Sequence, residues 1–547
     1  MGGGQSRGWV MFGLAWLVVV LAGLFVPLMD NDSAHHANIA LRMYLTGDYV
    51  RLIDYDGPYL DKPHLHFWLS ALSYHVFGVT GFAYKFPSLL FSIIGIGAVY
   101  RAGFLLHNNR LGLIAAVIYA SSVAVLLSLN DVRMDAILSS CVAISLWQLV
   151  GYLQSGERKY QYGLALGMAL GFCTKGHIAV LVPVLFGLFY LLYNKSWKPL
   201  QNLSILAAAA IFFVLISPVV YCYYLQFNLH PEVVVRGKDN INGVSFILWE
   251  QSLGRYGGEM GGDGGGDKLF FFHSFLWVFA PWSLLAIGSL LRRSVRSTFS
   301  VSTKSTLSVL LVFGVLIGFS SFKLPHYLNV VIPLASLWVA EVCDKEQILT
   351  TPIIKIVSWV MWLLIGVCLS LMLVWWFPDQ SVFFWVGFST LLVLLFYTNR
   401  SGFSTGITRR VITIGLSVLV CFWILNGAFY PSLLRYQGGQ QLASALTKEG
   451  VSSRVFSLEG CYSSSFYFTK RELRNNLPLG AVSNNGSLLL LDEKQEPELI
   501  KRGIKWTREW SVVDYEITRL TAAFLNPDKR LSVCTRLKVV ELEKITD

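Results

Sequence analysis

Apolar runs of about 18 to 24 residues, long enough to cross a bilayer as a helix, recur along this chain from Trp9 to Tyr430. Lipid offers no hydrogen-bond partners, so the backbone of such runs must pair internally, and helices do this within one segment. The pattern dictates an α-helical polytopic membrane protein. A mean hydropathy of +0.54 over 547 residues, with only 14% of them charged, excludes a soluble protein. The sequence predicts about 13 transmembrane helices: 8–29, 83–106, 110–128, 134–154, 160–174, 177–194, 202–224, 270–291, 305–321, 325–343, 353–376, 380–397 and 411–430. The first run is followed by many others, so it reads as a retained anchor rather than a cleaved signal peptide.

A net charge of +11 would suit a nucleic-acid partner, but the positions of the charges argue otherwise. One alternating set of short loops carries Arg101, Arg110, Arg158, Lys159, Lys195, Lys198, Arg292, Arg293, Arg296, Lys304, Lys345, Lys355, Arg400, Arg409 and Arg410. The other set of short loops carries only Arg133, Lys175 and Lys323. Positive charge concentrates on the cytoplasmic side, so the first set faces inward and no nucleic acid is implied. The 30–82 loop, the 225–269 loop and the tail after Pro431 then face outward, giving a 1–430 transmembrane module and a 431–547 soluble region.

The 431–547 tail is richer in charge. Its runs Arg454–Leu458, Ser465–Thr469, Ser487–Leu491, Val512–Leu520 and Val533–Val540 read as strands, and Gln440–Lys448 as a helix. These elements make a small C-terminal α/β domain. Of eight cysteines, only Cys461 and Cys534 fall in the tail, where they could pair; none has metal-site spacing.

The first long polar segment, Asp30 to Trp68, carries Asp32, His35, His36, Asp48, Asp54, Asp56, Asp61, Lys62, His64 and His66. Asp131, Arg133, Asp135, Lys175, His177, Lys323 and His326 lie near span ends at the same face. Ionisable groups at membrane depth usually line a cavity or a site, although each alone could be a snorkelling anchor. The 225–269 loop has eight glycines between Gly254 and Gly266. No phosphate-loop spacing is present, so this run is either a flap over an entrance or a plain connector.

An outward-facing enzyme has no access to cytoplasmic nucleotide sugars, and a lipid-linked phosphosugar is a donor that crosses the bilayer. Departure of a lipid phosphate requires cations at the developing charge. Lys62 is the first candidate, with Arg255, Lys323 and Lys175 behind it. The acceptor must lose a proton to a general base, for which Asp32, at the end of the first span, and Asp61 are candidates. His35, Tyr59, Asp135, His326 and Tyr327 are candidate substrate-binding residues. The loop histidines with Asp61 could ligate a divalent metal, but no ligand spacing specifies one. A flippase for an anionic glycolipid would also explain outer basic residues. It predicts paired, broken helices in two halves, and no such repeat is visible.

The order Asp32 … Thr46-Gly47-Asp48-Tyr49 … Gly57-Pro58-Tyr59-Leu60-Asp61-Lys62-Pro63 … Phe67-Trp68 … Phe86-Pro87-Ser88 resembles the first outer loop of polyprenyl-phosphate-dependent membrane glycosyltransferases. Within them it looks most like the aminoarabinose transferases that modify lipid A and their protein O-mannosyltransferase relatives. Arg133-Met134-Asp135-Ala136, the 167–176 segment ending Thr174-Lys175-Gly176, and Phe322-Lys323-Leu324-Pro325-His326-Tyr327 extend the resemblance over roughly the first 340 residues. It implies a C-type glycosyltransferase fold, Asp32 as the key acid/base residue and Lys62 beside the donor phosphate. It also implies a bacterial inner-membrane location with a periplasmic site. The partners implied are membrane lipids, a polyprenyl-phosphate sugar donor, and a lipid A-like glycolipid, glycan or protein acceptor. This chain departs from the family pattern in having Ser33, Ala34 and His35 after Asp32, Asp61 where Glu is usual, and Gln251 where the aminoarabinose transferases commonly have His. The resemblance therefore carries the reaction class and not the sugar.

Overall fold

The computed structural model of the chain describes residues 3–30, 32–54, 57–131, 134–251, 267–320, 322–345, 352–378, 380–400 and 406–544. Helices occupy every predicted apolar run. Eight of those described are long and apolar enough to cross a membrane, or nine if a pair bent by 50° counts as one span. The pair is α5 (Asn109–Ala120) and α6 (Val123–Asn130). Three more apolar helices are shorter, and the predicted 270–291 run divides at Pro281 into Phe270–Val278 and Trp282–Leu291.

The first spans pack through small residues, which let backbones approach where lipid supplies no hydrophobic drive. In α4 (Gly81–Leu106), a Cβ added at Gly95 would fall 2.6 Å from Ser140 Oγ of α7 (Asp135–Ser155). One at Gly103 would fall 2.9 Å from Gly112 Cα of α5. Lys85, buried in α4, donates to Gly23 O (3.1 Å) and Val26 O (2.8 Å). It thereby adds to the backbone bond from Val26 N to Gly23 O and satisfies Val26 O just past the end of α1 (Gly3–Leu24).

The polar segment after α1 is not an irregular loop. It contains two helices, α2 (Asp32–Thr46) and α3 (Leu65–Phe77), joined through the short antiparallel pair β1 (Ile53–Asp54) and β2 (Gly57–Pro58). The buried face of α2 is made of Ser33, Ala34, His36, Ala37, Ile39, Ala40, Leu41 and Met43. That face has helical periodicity, but small and polar residues build most of it.

The C-terminal region carries a five-stranded mixed sheet in the order β4-β3-β5-β7-β6. The strands are β3 (Val455–Leu458), β4 (Asn476–Leu477), β5 (Leu488–Asp492), β6 (Trp506–Asp514) and β7 (Thr535–Leu542), with helix Gly438–Lys448 packed against β6 and β7. The run Ser465–Thr469, expected as a strand, lies instead in helix Ser464–Lys470. Its core Phe466-Tyr467-Phe468 is buried throughout, and so short an apolar run shows no period that separates helix from strand. All eight cysteines are free, Cys461 and Cys534 included.

Candidate active site

Asp32 opens α2, where a carboxylate in the first turn is favoured by the helix dipole. The next residue ties this turn to the bent pair, because Ser33 Oγ donates to Asp131 Oδ1 at 2.5 Å. Two residues before Asp32, Asp30 anchors this segment to the C-terminal region. Its carboxylate accepts from Ser465 N and Ser465 Oγ, both at 2.6 Å, and its amide donates to Gln437 Oε1 at 2.7 Å. Burial lifts the Asp30 carboxyl to about 6 against these hydrogen bonds. The candidate base is thus held from two sides by its neighbours.

Behind α2 lies a layer of histidines and tyrosines. His36 Nε2 shares a 3.1 Å hydrogen bond with Tyr59 OH, and His66 Nε2 a 3.0 Å bond with Tyr84 OH. His64 Nε2 is 2.8 Å from Val50 O. Burial, and then the charges of His35, His66, Lys62 and Lys175, push His36 far below the usual imidazole range. Burial likewise takes His64 down to about 4 and His66 to about 3. These three rings are neutral near pH 7 and serve as packing and hydrogen-bonding groups. His35 differs, lying 2.7 Å from Asp54 Oδ2 at the hairpin. Burial, and then the charges of Asp61, Asp54, Tyr223 and Asp32, raise the Tyr59 hydroxyl far above the usual phenol range. Both candidate carboxylates therefore act on one tyrosine.

A cavity of about 310 Å³ opens beside this layer, lined by Met29, Asp131, Asp135, His326, Asn329 and Tyr430 among others. Asp135 begins α7, and Lys175, the last residue of α8 (Arg158–Lys175), donates to its Oδ1 at 2.7 Å. Both side chains are nearly inaccessible, at 2% and 5% exposure. His326 Nε2 stands 4.0 Å from Asp135 Oδ2, and the Lys175 ammonium lies 5.4 Å from the Tyr327 ring centre. Four of the predicted residues, from three separated segments, therefore form one cluster.

Asp61 and Lys62 lie on the connection between β2 and α3. Arg236, from the 225–269 loop, donates through Nη2 to both Asp61 carboxylate oxygens at 2.5 and 2.6 Å, and Gln251 Nε2 donates to Asp61 O at 2.8 Å. Lys323 reaches Asp267 O at 3.0 Å, on the same side as the His273–Asp267 pair. Arg255 and all eight glycines between Gly254 and Gly266 lie outside the described residues. No group of three or more His, Cys, Asp or Glu among the described residues is arranged to hold a metal ion. Both Asp61 oxygens go to a guanidinium, and the three buried histidines each direct a nitrogen to a carbonyl or hydroxyl.

Sequence reasoning passed over Asp30, Lys85 and Arg236 as candidates. Lys85 carries a visible signal, a lone cation inside an apolar run. Arg236 and Asp30 carry none, because the groups they meet are 175 and 435 residues away.

Residues 61–222 match the family described as dolichyl-phosphate-mannose-protein mannosyltransferase. An undecaprenyl phosphate-alpha-4-amino-4-deoxy-L-arabinose arabinosyl transferase of Pseudomonas aeruginosa is 29% identical over 339 residues, which is 60% of this chain and 57% of that protein. The protein of the same description from Pseudomonas paraeruginosa is 30% identical over 339 residues, again 60% and 57%. The matched region thus spans a little over half the length of these curated relatives. Among solved structures, ArnT from Cupriavidus metallidurans in the apo state superposes with a TM-score of 0.71 at 16% identity, covering 98% of both chains. Its complex with undecaprenyl phosphate gives 0.70 at 15% identity, covering 97% of both. The chain therefore has the fold of ArnT, a C-type glycosyltransferase fold, and resembles in sequence the polyprenyl-phosphate-dependent aminoarabinose transferases.

Proposed function

We propose that this protein transfers a glycosyl group from a polyprenyl-phosphate donor to an acceptor on the outer face of a bacterial inner membrane. In this reading the chain crosses the bilayer about thirteen times over residues 1–430. Residues 431–547 form an α/β domain in the periplasm, and a lipid A-like glycolipid or glycan is the acceptor. The observation that carries the reading is the convergence of carboxylates and cations at one end of the helical bundle. Asp32 is held by its neighbours, Asp131 and Asp135 line a cavity beside it, and Lys62 and Lys175 are close enough to act on the same histidine. The resemblance to undecaprenyl-phosphate transferases agrees with it.

The chemistry follows from these positions. An acceptor oxygen attacks the anomeric carbon as the bond from that carbon to the lipid phosphate oxygen breaks. Asp32 takes the acceptor proton, as a general base must. Lys62, with Arg255 and Lys323, stabilises the departing phosphate. Lys175 is already paired with Asp135, so it contributes positive potential at longer range. Asp61, tied to Arg236, positions Lys62 and the loop that carries it. His35, Tyr59, Asp135, His326 and Tyr327 line the space for the sugar and acceptor. Direct displacement inverts the anomeric centre.

The 61–222 match to a protein mannosyltransferase family favours one second reading within the same chemistry, transfer to protein Ser or Thr. The test is product analysis. Purified protein in vesicles receives a radiolabelled polyprenyl-phosphate sugar together with lipid A or an unfolded polypeptide. Label appearing on lipid A with inverted configuration supports the first reading, and label on the polypeptide supports the second. Retained configuration contradicts the direct displacement. Label that crosses the bilayer but stays on its lipid assigns a flippase instead.

A further inference from the structure

A second cavity, of about 570 Å³, lies between the end of α1, the start of α4 and helix Ser464–Lys470. We propose that it seats an acyl chain of the acceptor, an anionic acylated glycolipid taken from the membrane leaflet on this side. This inference rests on the glycosyl-transfer reading above.

The groove has two characters. Its floor is apolar, with Leu24, Val26, Leu28 and Val79. Its membrane edge is aromatic: Phe25 stacks on Phe82 at 5.3 Å, and Phe77 meets Phe82 edge-on at 5.5 Å. Phe25 is 72% exposed and Phe77 43%. These rings stand where α1 ends and α4 begins, the depth at which aromatic belts mark the membrane–water boundary. The groove therefore opens onto lipid. Its far wall, from the C-terminal region, is polar and ends in Arg471.

Arg471 is exposed, and no carboxylate pairs with it among the described residues. No acidic side chain lines the groove. The Arg471 backbone is left-handed at φ 57°, a conformation glycine or asparagine adopts with less strain. An apolar trough ending in a cation fits an acyl chain with an anionic head.

The groove also adjoins the site. Leu28 lines the groove, while the next residue, Met29, lines the cavity with Asp131 and Asp135. Ser465 lines the groove and holds Asp30, two residues before Asp32. A chain seated here leaves its head group on the side where Ser465 meets Asp30, two residues before the candidate base. A plain phospholipid would fit the trough but present no sugar to Asp32.

The test uses two variants of the full-length protein. A Cβ at Gly81 would meet only Leu28, at 3.6 and 3.7 Å, so Gly81→Leu fills the groove without moving backbone. Arg471→Asn removes the cation and suits the left-handed backbone, so it keeps the test alive should Gly81→Leu fail to fold. With a polyprenyl-phosphate sugar donor in phosphatidylcholine vesicles, each variant is expected to raise KM for lipid A about tenfold with kcat held. Fully deacylated lipid A should be used by Gly81→Leu as by the wild type, while Arg471→Asn, which loses the contact to the head group, should still use it less well. A second readout needs no sugar transfer: lipid A retained on the purified protein in native mass spectrometry should fall in both variants. If retention falls although no sugar moves, the groove stands and the transfer reading fails. Unchanged KM and retention would overturn the proposal, as would an equal loss with the deacylated acceptor in Gly81→Leu. So would lost retention of phosphatidylglycerol with lipid A unaffected.

Discussion

Two acid–cation pairs bracket the candidate site, built from the same chemistry in opposite settings. Asp61 and Arg236 join two loops, with Arg236 Nη2 2.5 and 2.6 Å from the two carboxylate oxygens and side chains 32% and 56% exposed. Asp135 and Lys175 join the ends of α7 and α8 at 2.7 Å, with side chains 2% and 5% exposed. Geometry is good in both, so solvent decides what each is worth. An exposed pair contributes about 0–1 kcal/mol, because water and salt compete for both partners. Breaking a buried pair costs about 3–5 kcal/mol, because the remaining charge stays in a medium that cannot solvate it. The buried pair is frame, and the exposed pair is a latch that thermal motion can open.

The comparison breaks first at Asp135. Asp135→Ala should destabilise the detergent-solubilised protein by about 3–5 kcal/mol, measured by denaturant unfolding. Adding Lys175→Met should restore most of the loss, since no buried charge then lacks a partner. A cost below about 1 kcal/mol would place Lys175 in solvent contact and dissolve the distinction. Arg236→Ala is the smaller test. Stability should change by less than about 1 kcal/mol, while KM for the donor shifts severalfold as the loop is released. High salt should reproduce part of that shift in the wild type and none of it in the variant.

A further effect belongs to Asp30 and appears as pH dependence. Its folded pKa of about 6 lies above the ordinary 3.8, so between those values the native state binds more protons than the unfolded chain. Stability contributed by this group is therefore lost as pH rises from about 4 to about 6. In Asp30→Asn, thermal midpoints measured across that window should lose this component of the slope. A slope identical to the wild type would place the titration elsewhere.

Much of this was legible in the chain before any coordinates. The apolar runs announce the bundle, and Asp32, Asp61, Lys62, Asp135, Lys175, His326 and Tyr327 were drawn together by charge at span ends and by ordered motifs. The α2 helix was not legible, because its buried face is built from serine, alanine and histidine rather than from large apolar residues. Its spacing at positions 33, 36, 37, 40 and 41 was the only clue. Helix Ser464–Lys470 was misread because Phe466-Tyr467-Phe468 is buried on all sides. The latch to Arg236 and the clamp from Asp30 to Ser465 are long-range pairings, which neither periodicity nor spacing encodes.

The most direct measurement is turnover of a radiolabelled polyprenyl-phosphate sugar by purified protein in lipid, wild type against Asp32→Asn. The substitution keeps the shape of the side chain and removes the base. Label should leave the lipid with the wild type and slow by roughly a hundredfold or more in the variant. Equal rates of label loss in the two proteins would contradict general-base catalysis by Asp32.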